Sequence, residues 1–456
     1  MKIAILGAAG VRTPLIIEAI AKRQDKIGLS ELALMDIDGE RLDLIGTLTA
    51  HLDGSSTARY RISYTTDARL ALLSADYVIT TFRVGGIESR VIDERVPLTH
   101  GVLGQETTGP GGFAMGLRSI PVLLDYVRVM QEVCPDAWLI NFANPAGMLT
   151  EAVVRSTNWK RVVGICDAPS SMWSIGSAIL GVPPEETYLD YFGLNHLGWA
   201  RSFICKGDDR LPGLIKMVLA AGKLPWFPFD AEFINSLGMV PNEYLYYYYN
   251  TEEAIKNITS AGQTRSGQIA VMNHQLFNDL KRLQSQDNWS GMLETYYRYM
   301  NQRGETYMTR ETGISSNIRL LNGQINKAIS GDGYAGVALN LIESLYGKSP
   351  RVMILNVTNL GAITGMEDKD VVEIPAYVGR DLIRPITVGK IPDHCLGLVK
   401  QVKAYEHLTI ESALEKSYSK AITALAIHPL VPNYTTAKTI LDEYIIKHQP
   451  YFPILN

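Results

Sequence analysis

The chain has little cysteine, no strong excess of charge of either sign and no long uninterrupted apolar run, and each lack removes a class of function. Its four cysteines (Cys134, Cys166, Cys205, Cys395) form no Cys-x-x-Cys pair and no dense framework, which argues against a disulfide scaffold and fits a reducing cytoplasm. A net charge of −4, with basic residues scattered along the chain, gives no reason to expect nucleic acid or an anionic membrane as partner. No apolar stretch reaches the roughly eighteen residues that a spanning helix requires. Met1-Lys2 leads straight into a strand pattern, so no signal peptide is expected either. What is present is ample: 456 residues and 46% hydrophobic content suit two domains, or one with a large lobe, around a sizeable core.

Lys2 to Leu6 reads as a buried strand that breaks at Gly7 and turns through Ala8, Ala9 and Gly10. A helix should follow, with Pro14 in its first turn and Leu15, Ile16, Ala19 and Ile20 at helical spacing. Ser30 to Met35 is the next strand and ends at Asp36. In this layout small residues admit a pyrophosphate to a helix N-terminus, and the carboxylate accepts hydrogen bonds from a ribose. Only two glycines of the G-x-G-x-x-G pattern are kept, so a plain α/β connection is the alternative. Further strands near residues 75, 137 and 161 alternate with helices in a doubly wound pattern. Arg83 and Arg90 fall near the carboxyl edge of that sheet, either as partners for an anionic group or as solvated loop cations. Gly104 to Gly112 is glycine-rich but lacks the Gly-Lys-Ser/Thr ending of a triphosphate loop; its plainer reading is a mobile surface loop. Asn144, held extended by Pro145, ends the strand near 137 and could meet a nicotinamide or a substrate hydroxyl. To this point the pattern reads as an NAD-dependent dehydrogenase.

Gly164 to Trp199 adds chemistry. The strand Arg161 to Ile165 stops at Cys166-Asp167, and the apolar run from Thr187 to Leu194 stops at Asn195-His196. A thiolate and an imidazole at two strand ends could share one divalent ion and leave positions open for substrate. Equally, they could be a buried thiol and a core histidine.

Five stretches taken together carry a resemblance: Gly104-Gln105-Glu106-Thr107-Thr108-Gly109-Pro110-Gly111-Gly112, Asn141 to Gly147, Gly164-Ile165-Cys166-Asp167, Gly193-Leu194-Asn195-His196, and Pro241 to Tyr248. In this order they resemble glycoside hydrolase family 4, the NAD- and metal-dependent 6-phosphoglycosidases. The resemblance implies a Rossmann-like doubly wound α/β domain over 1–190, followed by a mixed α+β domain of lactate/malate dehydrogenase type over 191–456. It implies NAD at Gly7, Ala8, Ala9, Gly10, Asp36 and Arg83, and Mn2+ or another divalent metal on Cys166 and His196. Tyr244 would be the base, with Arg90, Asn144 and Arg265 on the sugar or its phosphate. Cleavage would proceed by oxidation at C3, deprotonation at C2, elimination of the aglycone and addition of water, an exception to the usual two-carboxylate route. Asp167 stands where α-specific members often carry aspartate, and it could protonate the leaving oxygen. The 104–112 and 141–148 stretches look more like the 6-phospho-β-glucosidase branch, so a phosphorylated β-glucoside such as cellobiose 6-phosphate is the expected substrate. A 6-phospho-α-glucosidase, a 2-hydroxyacid dehydrogenase and a non-catalytic NAD-sensing module are the alternatives. A homodimer or homotetramer is expected.

Tyr244, Tyr247 and Tyr248 would share one helical face, which for Tyr246 to Tyr249 is expected to be packing or a subunit contact. Downstream, Ile269–Leu283, Ile410–Ile427 and Thr435–Lys447 read as helices, and 350–356 and 371–376 as strands of the second lobe. The polar and aromatic stretch 286–312, with Trp289, Tyr296, Tyr297, Tyr299 and Arg303, suits a lid or a subunit contact. His274, His394, His407, His428 and His448 have no motif around them and read as surface or core histidines.

Overall fold

Six strands, apolar in their central members and more polar at the edge strand β3, pair in parallel: β1 (Lys2–Leu6), β2 (Glu31–Met35), β3 (Arg61–Thr65), β4 (Tyr77–Thr80), β5 (Trp138–Asn141) and β6 (Val162–Gly164). Their order, β3-β2-β1-β4-β5-β6, is that of a doubly wound dinucleotide fold, which reverses direction between β1 and β4. The computed structural model that shows this describes residues 1–52, 59–220, 222–314 and 333–456. Burial explains the composition: every residue of β4 and β5 is buried, so the usual polar alternation is absent.

At the switch point Gly7 has φ 94°. A Cβ there would lie 2.3 Å from the backbone nitrogen of Phe82, so only glycine lets the first turn cross the end of β4 this closely. The helix Thr13–Ile27 then begins with Pro14 in its first turn and no side-chain cap.

A second, smaller sheet carries the other half of the molecule's chemistry. β7 (Thr187–Leu194) and β8 (Leu197–Cys205) form an antiparallel hairpin, extended by β9 (Asp208–Asp209) and β10 (Val240–Pro241). Leu194 pairs with Leu197, which leaves Asn195 and His196 as the two turn residues.

The strands expected in the second lobe are present but placed differently. β11 (Arg351–Thr358), β12 (Val371–Gly379) and β13 (Leu382–Pro385) join the first sheet antiparallel, with Asn356 opposite Gly164 on β6. The nine-stranded sheet therefore draws on both parts of the sequence. The single helix read over 410–427 is in fact two, Asp393–Glu415 and Tyr418–Ile427. Lys416 takes a left-handed conformation (φ 56°), and the Ser417 side chain accepts from the Lys420 N–H to start the second helix; the apolar period runs on across this break and hides it. Helix Trp289–Glu305 packs on Arg265–Gln284 through Tyr296, Tyr299, Met272 and Leu276, so the 286–312 stretch is anchored to the body of this chain. No helix among the described residues is long and apolar enough to cross a membrane.

Candidate active site

Cys166 follows β6 and stands just before the helix Ala168–Leu180, while His196 sits at the tip of the β7–β8 hairpin. The two ends meet: Cys166 Sγ lies 3.6 Å from His196 Nε2, and both residues are buried. His196 has φ 63°, a left-handed conformation that costs a non-glycine residue on the order of 1 kcal/mol. Glu373 of β12, buried, supports the tip by accepting hydrogen bonds from Asn195 Nδ2 (3.0 Å), Tyr191 Oη (3.0 Å) and Asn356 Nδ2 (3.1 Å).

The glycine-rich stretch at 104–112 is a brace for this imidazole and not a mobile surface loop. Gln105 Oε1 accepts from the backbone N–H groups of Thr107 (2.6 Å) and Thr108 (2.7 Å) and from Thr107 Oγ1 (2.9 Å). The hydroxyl's one hydrogen is therefore committed to Gln105. Its oxygen then accepts from His196 Nδ1, 2.8 Å away. This fixes the proton on Nδ1 and leaves the Nε2 lone pair facing Cys166. Burial pushes the imidazole down to about 4, against the pull of Glu106 and Asp167, so it stays neutral as a ligand must.

The donor pair fits a metal. At 3.6 Å apart, the imidazole nitrogen and the thiol sulfur are close enough that one divalent ion could bind both. Burial, with Glu373 and Asp167 nearby, holds the thiol well above its usual range; a divalent cation would reverse that by stabilising the thiolate. A second cluster, Glu151, Asp370 and His407, has metal-like spacing but already holds cations. Glu151 pairs with Arg155 at 2.6 Å and Lys403 at 2.5 Å, and Asp370 with Arg155 at 2.7 Å. It is an ion-pair network that ties the helix Ala146–Ser156 to Asp393–Glu415.

Tyr244 stacks face to face on His196, ring centroids 3.6 Å apart and 4° from parallel. It belongs to a short 3-10 turn, Glu243–Leu245, whose start is capped by Asn242 Oδ1 accepting from the Tyr244 N–H. The expected continuous helical face of Tyr244, Tyr247 and Tyr248 is thus broken, since the helix proper is Tyr246–Tyr249. Tyr307 Oη lies 3.2 Å from both Tyr244 Oη and Glu243 Oε1. Burial, then the nearby Glu243, pushes the Tyr244 phenol well above 10, while burial lifts Glu243 to about 7.

These groups line one cavity of about 470 Å³ together with Asp167, Asn144, Arg90, Arg265, Arg12 and Arg303. Arg90 is buried and pairs through Nε with Glu106 (3.0 Å) and Glu94 (3.4 Å). Arg83 also binds Glu106, at 2.6 Å, so neither is the solvated loop cation of the plainer reading. Burial would raise Glu106, but the two arginines overcome it and hold the carboxyl at about 2. Arg265 donates to Thr306 Oγ1, to the Arg303 carbonyl (2.6 Å) and to Gln268 (3.0 Å). Arg303, one of the residues left without a role by the sequence, is lowered by burial to about 10, with Arg12 and Arg90 near it.

Gly7, Ala8, Ala9, Gly10, Asp36 and Arg83 do not line this cavity. All except Arg83, which follows β4, gather at the carboxyl ends of β1 and β2. Asp36 accepts from the Ala9 N–H (2.9 Å) and the Asp38 N–H (3.1 Å), and burial raises its pKa. The uncapped helix start at Thr13, the small turn and the 82% exposed Ile37 beside Asp36 fit a dinucleotide: pyrophosphate at the helix, ribose at the carboxylate, an adenine over the isoleucine.

Residues 2–181 match the model of a family 4 glycosyl hydrolase, and 191–431 match that family's C-terminal domain. The chain is 34% identical to a probable 6-phospho-beta-glucosidase of Bacillus subtilis, over 99% of this chain and 97% of that one. It is 30% identical to a maltose-6'-phosphate glucosidase of Fusobacterium mortiferum, over 100% and 99%. Its fold superposes with a TM-score of 0.82 on the 6-phospho-beta glucosidase of Thermotoga maritima solved with manganese, NAD+ and glucose-6-phosphate, at 27% identity and covering 99% of each chain. With both family models matched in order along its length, this chain belongs to family 4 of the glycosyl hydrolases.

Proposed function

We propose that the chain is a 6-phospho-β-glucosidase that requires NAD and a divalent metal, manganese by preference. The observation that carries the reading is the meeting of Cys166, His196 and Tyr244 in one cavity from three separate segments. When bound, the dinucleotide supplies a reversible hydride acceptor for the sugar's third carbon, and the ion supplies a Lewis acid for charge building on the C2 and C3 oxygens.

The chain's own residues do the rest. Cys166 Sγ and His196 Nε2, 3.6 Å apart, would hold the ion, with Thr107 setting the tautomer. Tyr244 Oη takes the proton from the sugar's second carbon. Burial raises its pKa, which would make it a poor base by itself; a cation held beside it at Cys166 and His196 would lower that pKa. Tyr307, hydrogen-bonded to both Tyr244 and Glu243, orients that oxygen. Asp167, on the cavity wall next to the cysteine, gives a proton to the leaving oxygen. Arg90, Arg265 and Asn144 hold the phosphorylated sugar; Gly7, Ala8, Ala9, Gly10, Asp36 and Arg83 hold the dinucleotide. The division into a nucleotide part, 1–190, and a substrate and assembly part, 191–456, belongs to the same proposal, as does a homodimer or homotetramer, to be read by light scattering.

The reading is tested by hydrolysis of chromogenic 6-phospho-β- and 6-phospho-α-glucosides with and without NAD+ and Mn2+. The expected result is β-cleavage that needs both additions, accumulates no NADH and washes deuterium out of C2. Net NADH formation would favour a dehydrogenase instead. Asp167 and the similarity to the maltose-6'-phosphate glucosidase favour the second reading, an α-specific enzyme, which preferential cleavage of the α-glucoside would establish.

A further inference from the structure

The cavity has a second half that the reaction does not use. The helix Ala168–Leu180 starts at Asp167 and lines the cavity with one stripe, Ala168, Ser171, Met172, Ile175, Gly176 and Ile179. These fall at helical spacing on a single face. At 1.5 Å per residue the stripe leads about 16 Å away from the cysteine. Polar Ser171 lies near its start; the far turns present only Ile175 and Ile179. Leu214, Ile215 and Val218, an apolar stripe on the helix Leu211–Ala220, line the same cavity, as does Phe203, whose ring packs beside Gly176. Gly176 is part of the fit, because a Cβ there would lie 2.5 Å from that ring. Trp226 Nε1, a buried side-chain donor of the cavity lining, has no hydrogen-bond partner among the described residues.

We infer that this half is the aglycone site and that it is built for an aromatic aglycone carrying at most one polar substituent, not for a second sugar. The inference rests on the phosphoglucosidase reading above. A glucosyl aglycone brings several hydroxyls into a space whose lining, among the described residues, is mostly aliphatic and aromatic, with Ser171 and Trp226 as its polar side chains, and each hydroxyl buried without a partner opposes binding. An aromatic ring loses nothing there. It gains contact with aliphatic walls and with the Phe203 and Trp226 rings, and a single oxygen on it would satisfy Trp226 Nε1. The continuity of the two halves along one helix stripe places such a group directly beyond the bond to be broken.

The test compares benzyl, methyl and glucosyl (cellobiose 6'-phosphate) 6-phospho-β-glucosides with NAD+ and Mn2+ present. All three leave as unactivated alcohols, so leaving-group chemistry does not set the order. The expected kcat/KM for the benzyl compound is at least tenfold above both others. Trp226→Ala and, separately, Ile179→Ser should each cut the benzyl-to-methyl ratio fivefold or more, in protein whose circular dichroism matches the parent. A ratio near one in the parent, a preference for the glucosyl compound, or a ratio that neither variant moves would overturn the inference while leaving the phosphoglucosidase reading intact. If no 6-phosphoglucoside were turned over, that reading would fail. Calorimetric titration of the benzyl and methyl compounds with NAD+ and no divalent ion would still decide the site: tenfold tighter benzyl binding supports it, and equal binding refutes it.

Discussion

Thr107→Val should weaken metal binding without disturbing the fold, and the size of the effect follows from where one hydrogen sits. In the native chain the threonine hydroxyl donates to Gln105 Oε1 and accepts from His196 Nδ1 at 2.8 Å. Valine keeps the shape and removes both bonds. Gln105 Oε1 retains two backbone donors, from residues 107 and 108, so most of the loss falls on the imidazole. His196 is only 5% exposed, and its Nδ1–H would be left without an acceptor, at a cost of about 1–3 kcal/mol. The ring can escape by moving the proton to Nε2, but that occupies the lone pair facing Cys166. Either way, the Mn2+ dissociation constant should rise about 10- to 100-fold, equivalent to roughly 1.4–2.7 kcal/mol. Electron paramagnetic resonance of free Mn2+ during titration reads this directly. Thr107→Ser, which restores the oxygen, should recover most of the affinity. Native-like Mn2+ affinity in the valine variant, or a serine variant as weak as valine, would refute the assignment of Thr107 as the group that sets the histidine tautomer.

Three further outcomes follow from the same geometry. Asp36→Ala removes the carboxylate that accepts from Ala9 and Asp38; calorimetry should show NAD+ binding weaker by about 1.5–3 kcal/mol, typical of charged hydrogen bonds, and a smaller preference over NADP+, whose 2'-phosphate the carboxylate repels. Lys403→Met leaves Glu151 and Glu406 buried without the ammonium that lies 2.5 and 2.6 Å from them, so urea unfolding should show a loss of about 3–5 kcal/mol. At His407, burial opposes the charge, but Asp370 and Glu151 outweigh it and lift the group to about 9 from 6.5. A raised folded-state pKa gives stability that is complete below about 6.5 and lost as pH climbs through about 9. The stability gap between the native chain and His407→Gln, up to about 3 kcal/mol at pH 6, should therefore shrink by pH 9.5. A gap that stays constant would place the origin elsewhere.

How far the sequence foretold this depends on whether the signal was local. β1, β2 and Asp36 were legible because a strand, a tight turn and a helix each write their own pattern within a few residues. Cys166 and His196 were visible as ends of apolar runs, and the Gly104–Gly112, Asn141–Gly147 and Pro241–Tyr248 stretches made them specific. Their approach to 3.6 Å depends on a hairpin from the second sheet reaching over the first, which no spacing along the chain encodes. Arg83 and Arg90 were found by their place at the sheet edge. Their shared partner Glu106 lies inside a glycine-rich loop, where no helical or strand period marks a buried position.

Glu373 is the instructive miss, because a signal for it did exist. It stands in Val371-Val372-Glu373-Ile374, and the strand is buried on both faces there. A carboxylate in such a run cannot be left bare, since an unpaired buried charge costs far more than any strand propensity returns. Burial, with the nearby Asp167 adding to it, lifts it to about 7 despite three hydrogen bonds. The residue must therefore serve groups that need an acceptor inside the protein, and it does: Tyr191, Asn195 and Asn356 all donate to it. Asn195 adjoins the strained His196, so the acid that looks misplaced in its own strand is what steadies the turn presenting the imidazole to the cysteine.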